Sequence, residues 1–133
     1  MNSSKLNWQT WLEQGDQYLR ASTPKSRINR FGTVIRYNLI SMSLESYVMA
    51  ILDYHHTLPD NHTFTDLISA LDVVMPLENT LKKRILLYEN IQSICSVEKY
   101  HRSSPTEEEL QDLTGAITEL SSMAHKTCTE VEN

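Results

Sequence analysis

Glycine and proline are scarce in this chain, which has three glycines and four prolines among its 133 residues. Folds with many tight turns, such as β-sandwiches and barrels, use these residues to reverse the chain. Their scarcity leaves long segments without a helix breaker. The sequence therefore favours a helical fold over a sheet.

Cysteine is also scarce, and the two cysteines predict neither a disulfide framework nor a zinc site. Cys95 and Cys128 form no CxxC pair and lack zinc-ligand spacing. A domain of this length buries roughly two-thirds of the surface that its unfolded chain exposes. We therefore expect the fold to need no metal and no disulfide, and no motif implies a cofactor.

Long apolar runs are absent as well. No uninterrupted apolar segment is long enough to cross a bilayer. The first residues lack the apolar segment of a signal peptide. We therefore expect a cytoplasmic protein without a membrane partner.

Basic charge is in the minority, with 12 Lys and Arg against 17 Asp and Glu and a formal net charge of −5. A general duplex-binding surface needs a basic footprint, so this balance argues against one. One stretch is locally basic, and we interpret it as a solvated helix junction. Its members are Arg20, Lys25, Arg27, Arg30 and Arg36.

Apolar residues recur every three or four positions, which predicts five amphipathic helices. The predicted ranges are about 5–21, 27–56, 63–75, 77–97 and 105–126. We expect Asn61 to cap the third helix. The fifth has the strongest start signal, because Ser104 offers a cap and Pro105 suits the first helical position.

The second predicted helix carries two apolar stripes side by side, which indicates wide burial at the centre of the fold. The first stripe comprises Ile28, Phe31, Ile35, Met42, Met49 and Leu52, and the second comprises Val34, Leu44, Val48 and Ile51.

Long amphipathic helices joined by short loops pack side by side and antiparallel. The sequence therefore predicts an all-α fold, an antiparallel up-and-down four-helix-type bundle with one short extra helix. We expect a single domain over residues 1–133, with a polar tail that frays from about residue 127 to 133.

Three histidines, His55, His56 and His62, are the strongest candidates in the sequence for metal binding or catalysis. Adjacent histidines on a helix point about 100° apart, whereas a metal site wants ligands three or four residues apart. We therefore favour helix-end or loop hydrogen bonds for this group and predict no metal site. His62 is kept as a candidate for binding a ligand or partner.

Two further groups are candidates for binding. Lys99, Tyr100, His101 and Arg102 place an aromatic ring among basic groups, which is one way to bind single-stranded nucleic acid or phosphate. The alternative is a solvated loop with the ring packed on the bundle end. Trp8 and Trp11 share a helix face as an interface candidate, with core packing as the favoured alternative.

Several segments together resemble the HEPN domain (higher eukaryotes and prokaryotes nucleotide-binding). They are the Trp-rich opening helix, the long helix from Arg36-Tyr37 to Leu52, the stretch 61–71 and the stretch 98–109. Two residues depart from the family pattern: Lys99 stands where an Arg-Tyr-Pro element carries arginine, and His101 stands where it carries proline.

The resemblance implies a helical bundle, a tendency to dimerise, and a nucleotidyltransferase-type protein, a nucleotide or a nucleic acid as partner. Ribonucleases of the family carry an arginine followed four to six residues later by a histidine, and no arginine here has that spacing. We therefore predict a non-enzymatic HEPN-like binding module that acts as a homodimer.

Two alternatives stay open. One is a divergent ribonuclease toxin or nucleotidyltransferase partner, which requires Lys99, His101 or Arg102 to converge with His62 or a carboxylate. The other is a scaffold subunit, which requires a long exposed apolar stripe on the bundle surface.

Overall fold

A computed structural model describes residues 7–22, 32–59, 61–89 and 105–129 of the chain. These residues form five helices and no strand, so the all-α prediction is confirmed. The helices are α1 (Trp8–Ser22), α2 (Thr33–Tyr54), α3 (Phe64–Val74), α4 (Asn79–Leu87) and α5 (Glu107–Thr129). Buried apolar side chains from all five pack into one cluster.

Helix α2 is shorter at its start than the apolar pattern predicts. Gly32 is extended, with φ −72° and ψ 174°, and the helix begins at Thr33. The predicted continuous helix through this glycine is therefore wrong, because glycine is the residue that most readily leaves the helical region. Ile28 and Phe31 of the first predicted stripe lie outside the described residues.

The buried side of α2 also differs from the predicted stripes. Leu44, Val48 and Ile51 are buried as predicted, whereas Val34, Ile35 and Met42 are exposed. The stripe that does point into the core runs three, four, three and four residues apart. Its members are Tyr37, Ile40, Leu44, Tyr47 and Ile51.

Threonines rather than the predicted residues cap two helices. The side chain of Thr63, not that of Asn61, accepts a hydrogen bond from the backbone N–H of Asp66 at the start of α3. At α5 the Thr106 hydroxyl accepts from the Glu109 N–H at 3.0 Å, and the Glu109 carboxylate accepts from the Thr106 N–H at 2.9 Å. This reciprocal capping box starts α5 two residues later than the predicted proline start.

Helix α5 continues to Thr129 instead of fraying from residue 127. Cys128 is buried, with 1% of its surface exposed, and its thiol lies 3.8 Å from the Ala50 carbonyl oxygen of α2. This packing at the end of α5 holds the last turn in the helix. The part of the predicted fourth helix beyond residue 89 lies outside the described residues.

Contacts along the chain give the directions of the helices. The ring of Trp8 packs edge-on against Tyr54, and the Ser22 carbonyl accepts from Arg36, so α1 and α2 are antiparallel. The start and end of α5 meet the start and end of α2, because Glu107 pairs with Arg36 and Cys128 contacts Ala50. Helices α2 and α5 therefore run in the same direction.

The up-and-down prediction is wrong at the connection from α2 to α3. Phe64 at the start of α3 packs against Tyr37 in the first half of α2, with ring centroids 6.4 Å apart. Met75 just after α3 contacts Thr127 near the end of α5. Helix α3 thus runs parallel to α2. The stretch 55–63 contains enough residues to return about 30 Å along α2.

Candidate functional site

The first half of α2 leaves an apolar surface uncovered. Val34, Ile35 and Met42 are 39%, 49% and 42% exposed, although the second half of the same helix is buried nearly all round. Asn38 is exposed between them. These four residues, here called the α2 face, lie within about a third of the helix circumference.

A cavity of about 300 Å³ opens at the edge of the α2 face. His62 and Glu45 stand on its rim, and their imidazole Nδ1 and carboxylate oxygen are in direct hydrogen-bond contact. Met42 and the buried Leu67 give it an apolar wall. Such a site offers charged and neutral hydrogen-bonding groups over an apolar surface, which suits a small polar ligand with a flat apolar part.

The structure thus places His62 in a site with a carboxylate. Sequence spacing missed this pair, because Glu45 lies 17 residues before His62 and belongs to another element. The other members of the predicted binding set, Lys99, Tyr100, His101 and Arg102, lie outside the described residues. Whether they converge with His62 therefore stays a prediction.

Trp8 and Trp11 are half-buried and pack against the core cluster. The Trp8 ring meets the Tyr54 ring edge-on, with centroids 5.6 Å apart. This arrangement matches the core-packing alternative that the sequence favoured. Their use at an interface stays a prediction.

His55 and His56 end α2. His56 has a left-handed backbone, with φ 61°, and its N–H donates to the Asp53 carbonyl at 2.9 Å. The Thr57 N–H donates to the Leu52 carbonyl at 2.8 Å. This pair of bonds is a Schellman motif, in which glycine is the usual residue at the left-handed position.

A polar cluster joins α1, α2 and α5, and sequence analysis did not predict it. The Asp16 carboxylate accepts from the Tyr47 hydroxyl at 2.5 Å and contacts His125 Nε2 at 2.9 Å. Burial and the Asp16 carboxylate raise the pKa of Tyr47 above its ordinary value. Because Tyr47 is fully buried, the cluster fixes how the three helices pack.

A second polar cluster joins α4 to α5. Arg84 contacts Asp112 at 3.3 Å and Glu119 at 2.9 Å, and the Tyr88 hydroxyl donates to Asp112 at 2.6 Å. Burial and Asp112 raise the pKa of Tyr88 to about 12, while the bond to Glu119 raises the pKa of Arg84. The Tyr37 hydroxyl donates to the Tyr88 carbonyl at 2.7 Å, which connects this cluster to α2.

Arg36 is buried, with 3% of its surface exposed, which corrects its placement in a solvated basic junction. Its guanidinium donates to the Ser22 carbonyl at 3.1 Å and to the Glu107 carboxylate at 2.5 Å. It therefore joins the end of α1 to the start of α5. A buried arginine with two partners is a structural group, and it adds no basic surface.

A second cavity, of about 310 Å³, lies between α3 and α4. Lys82 on its rim is paired with Asp72 at 2.9 Å, and Lys83 adds a further positive charge. The backbone N–H of Leu77, and then Lys82, hold the pKa of Asp72 below its ordinary value. This cavity therefore presents an Asp72–Lys82 ion pair beside Lys83.

Within the described part of the chain, no three His, Cys, Asp or Glu side chains are grouped so as to hold a metal ion. None of the helices there has the length and apolarity needed to span a membrane. No family model, curated protein or solved structure matches the chain.

Proposed function

We propose that this protein is a non-enzymatic, HEPN-like helical binding module that acts as a homodimer through the α2 face. The observation that carries the proposal is the exposure of Val34, Ile35 and Met42 on a helix whose second half is almost entirely buried. Grouped apolar side chains at a protein surface are characteristic of a contact with another protein. The clustering on one helix face supports a helix-to-helix contact.

The extent of the α2 face favours weak association over a permanent dimer. Its apolar side chains span Val34 to Met42, whereas stable interfaces bury about 800 Å² on each partner. We therefore expect a dissociation constant in the micromolar range, which corresponds to roughly 6 to 8 kcal/mol of binding free energy. The short length of this face also argues against the scaffold alternative, which needs a long exposed stripe.

The cavity beside His62 supports a second part of the proposal, a nucleotide-type ligand. Its volume of about 300 Å³ lies at the lower end of the range for small-molecule sites. His62 and Glu45 supply polar groups, and the buried Leu67 supplies an apolar wall. The formal net charge of −5 favours a small nucleotide over a duplex.

Sedimentation equilibrium tests the dimer. Protein concentrations from about 10 to 500 μM bracket the expected micromolar dissociation constant. The wild-type mass should rise towards twice the chain mass, and Ile35→Glu should stay monomeric. Val73→Glu is the matched control, because Val73 is 82% exposed on α3 and lies outside the α2 face. A wild-type protein that stays monomeric throughout would refute the homodimer.

Extraction of the freshly purified protein, followed by chromatography of released nucleotides, tests the ligand. We expect a nucleotide that co-purifies with the wild type and is reduced in His62→Ala. His56→Ala is the control, because His56 is exposed at the end of α2 and does not line the cavity. Equal amounts of nucleotide in all three proteins would exclude the cavity as its site.

A further inference from the structure

The cavity beside His62 takes its polar lining from two separate elements of the fold. Ser41 and Glu45 lie four residues apart on one side of α2, and both line the cavity. His62 lines it from the segment before α3. Thr63 directly follows His62 and caps α3, since its hydroxyl accepts from the Asp66 N–H at 3.0 Å. His62 is therefore attached to a hydrogen-bonded turn that fixes its position.

The hydrogen bonds within this lining decide which groups are left for a ligand. The Ser41 hydroxyl donates to the Tyr37 carbonyl at 2.9 Å, so its oxygen is left as an acceptor. His62 Nδ1 contacts one oxygen of the Glu45 carboxylate. An ionised carboxylate only accepts, so Nδ1 is the donor, and in the neutral ring Nε2 is left as an acceptor. The other Glu45 oxygen also accepts.

The charge of the lining points to the same kind of ligand. Glu45 supplies a negative charge, and none of the described residues around the cavity is a lysine or an arginine. A phosphate group placed there would face a carboxylate without a cation to offset the repulsion. The cavity therefore suits the end of a ligand that brings N–H donors and carries no negative charge.

We infer that this cavity binds guanine, with the ring N–H and the exocyclic amino group donating to the Glu45 carboxylate and any phosphate directed into solvent. This inference rests on the proposed nucleotide-type ligand and names its base. Leu67 gives the flat ring an apolar wall.

The shape of the donor pair selects guanine among the common bases. Its two N–H donors are attached to one carbon, as in a guanidinium group, which binds a carboxylate through two parallel N–H···O bonds. Adenine and cytosine carry a ring acceptor beside their amino group, and uracil has its ring N–H between two carbonyls. Those three bases would each set an acceptor against the Glu45 carboxylate, which costs affinity.

Equilibrium dialysis of the full chain against single nucleosides tests the base directly. Guanosine and inosine differ only in the exocyclic amino group. We expect guanosine to bind about 10- to 100-fold more tightly than inosine, the range expected for a hydrogen bond to a charged acceptor. Guanosine 5′-monophosphate should bind no more tightly than guanosine, because the cavity supplies no cation for the phosphate.

Glu45→Gln tests the acceptor. It keeps the shape of the side chain but replaces one acceptor oxygen with an amino donor. We expect guanosine to bind at least about ten-fold more weakly, and the preference over inosine to disappear. Glu78→Gln is the matched control, because Glu78 is an exposed acid at the start of α4 and does not line the cavity. Circular dichroism checks that both variants are folded.

The outcomes separate this inference from the proposed function. A guanosine preference that is lost in Glu45→Gln and kept in Glu78→Gln supports it. Equal binding of guanosine and inosine, with both weakened by His62→Ala, overturns the choice of guanine and leaves a nucleotide-type ligand standing. Tighter binding of the monophosphate than of guanosine does the same. Failure of every nucleoside and nucleotide to bind overturns both the inference and the ligand part of the proposed function, and methylguanidinium binding alone would assign the cavity to a guanidinium group instead.

Discussion

Replacing Gly15 with alanine gives the sharpest test of how α1 packs on α2. A Cβ atom at Gly15 would lie 2.7 Å from Tyr47 Cε1 and 2.8 Å from Cδ1, well inside contact distance. The ring cannot turn away, because Tyr47 is fully buried and its hydroxyl is held by Asp16. The Ser43 hydroxyl also donates to the Gly15 carbonyl at 2.9 Å, which holds the two backbones together.

Two opposing contributions set the size of the effect. Alanine is favoured over glycine in a helix by about 1 kcal/mol. Overpacking a rigid core site costs about 1 to 3 kcal/mol, and the upper end applies here because the clash is with a fixed ring. We therefore expect Gly15→Ala to lower the free energy of unfolding by about 2 kcal/mol, or roughly 8 °C in Tm. Urea unfolding followed by circular dichroism measures it.

Gly115→Ala is the matched control, because Gly115 also lies within a helix. The nearest atom to its added Cβ is an Arg84 guanidinium nitrogen at 3.1 Å, the tip of a long flexible side chain. That nitrogen also donates to the Asp112 carbonyl at 3.1 Å, but the Arg84 side chain is about a third exposed and needs to move only slightly. We therefore expect the helix-propensity gain to offset the lost contact and to leave stability unchanged or raised by up to about 1 kcal/mol. If Gly15→Ala were as stable as Gly115→Ala, the close α1–α2 approach would be refuted.

Three further predictions concern local structure. His56→Gly should raise the free energy of unfolding by about 0.5 to 1 kcal/mol, because it relieves a left-handed backbone. Thr106→Ala should lower it by about 1 kcal/mol through loss of the α5 cap, whereas Thr118→Ala on the exposed side of α5 should not. Burial raises the Cys128 thiol pKa from 9.0 to about 11, so in a Cys95→Ser protein alkylation should be slow. The unfolded chain loses that proton first, so the contribution of Cys128 to stability is present below pH 9 and declines between pH 9 and 11.

Each of these expectations can fail in a distinct way. Urea unfolding would contradict the first if His56→Gly were neutral or destabilising. Equal effects of Thr106→Ala and Thr118→Ala would exclude the capping box. Rapid alkylation of Cys128 at pH 8 in the folded protein, measured by mass spectrometry, would show that the end of α5 opens readily.

Sequence patterns predicted some parts of the fold well for identifiable reasons. The α3 pattern of Phe64, Leu67, Ile68 and Leu71 is a narrow stripe followed by Pro76, and the helix ends within one residue of the predicted limits. All four of these apolar residues are buried. A narrow stripe bounded by a breaker leaves little choice of face or length.

The prediction of which side of α2 is buried failed in the first half of this helix, where the apolar pattern allows more than one stripe. Apolar residues surround the first half of α2, so a stripe through Ile35 and Met42 fits helical spacing as well as one through Tyr37 and Ile40. Only the packing of α1, α3 and α5 decides which stripe is covered. The same reasoning explains the wrong direction of α3, since loop length permits both directions when nine residues are available.

The polar clusters escaped prediction because their members are far apart in the chain. Asp16 and His125 are 109 residues apart, and no spacing rule connects them. A usable signal did exist on α1, where Asp16 lies between Leu12 and Leu19 on the side that faces the core. A carboxylate on the apolar side of a helix needs a hydrogen-bond partner. This requirement could have identified Asp16 as a member of a polar cluster.

Polar contacts and the α2 face occupy different sides of α2, and this separation gives the proposed function its physical basis. Tyr47 and Arg36 point towards α1 and α5, where Asp16 and Glu107 satisfy them. Ile35 and Met42 lie about 100° or more away around the helix, on a side that none of these hydrogen bonds requires. The fold can therefore be stable with the α2 face exposed. The proposed function therefore assigns contact with a partner to this apolar side of α2.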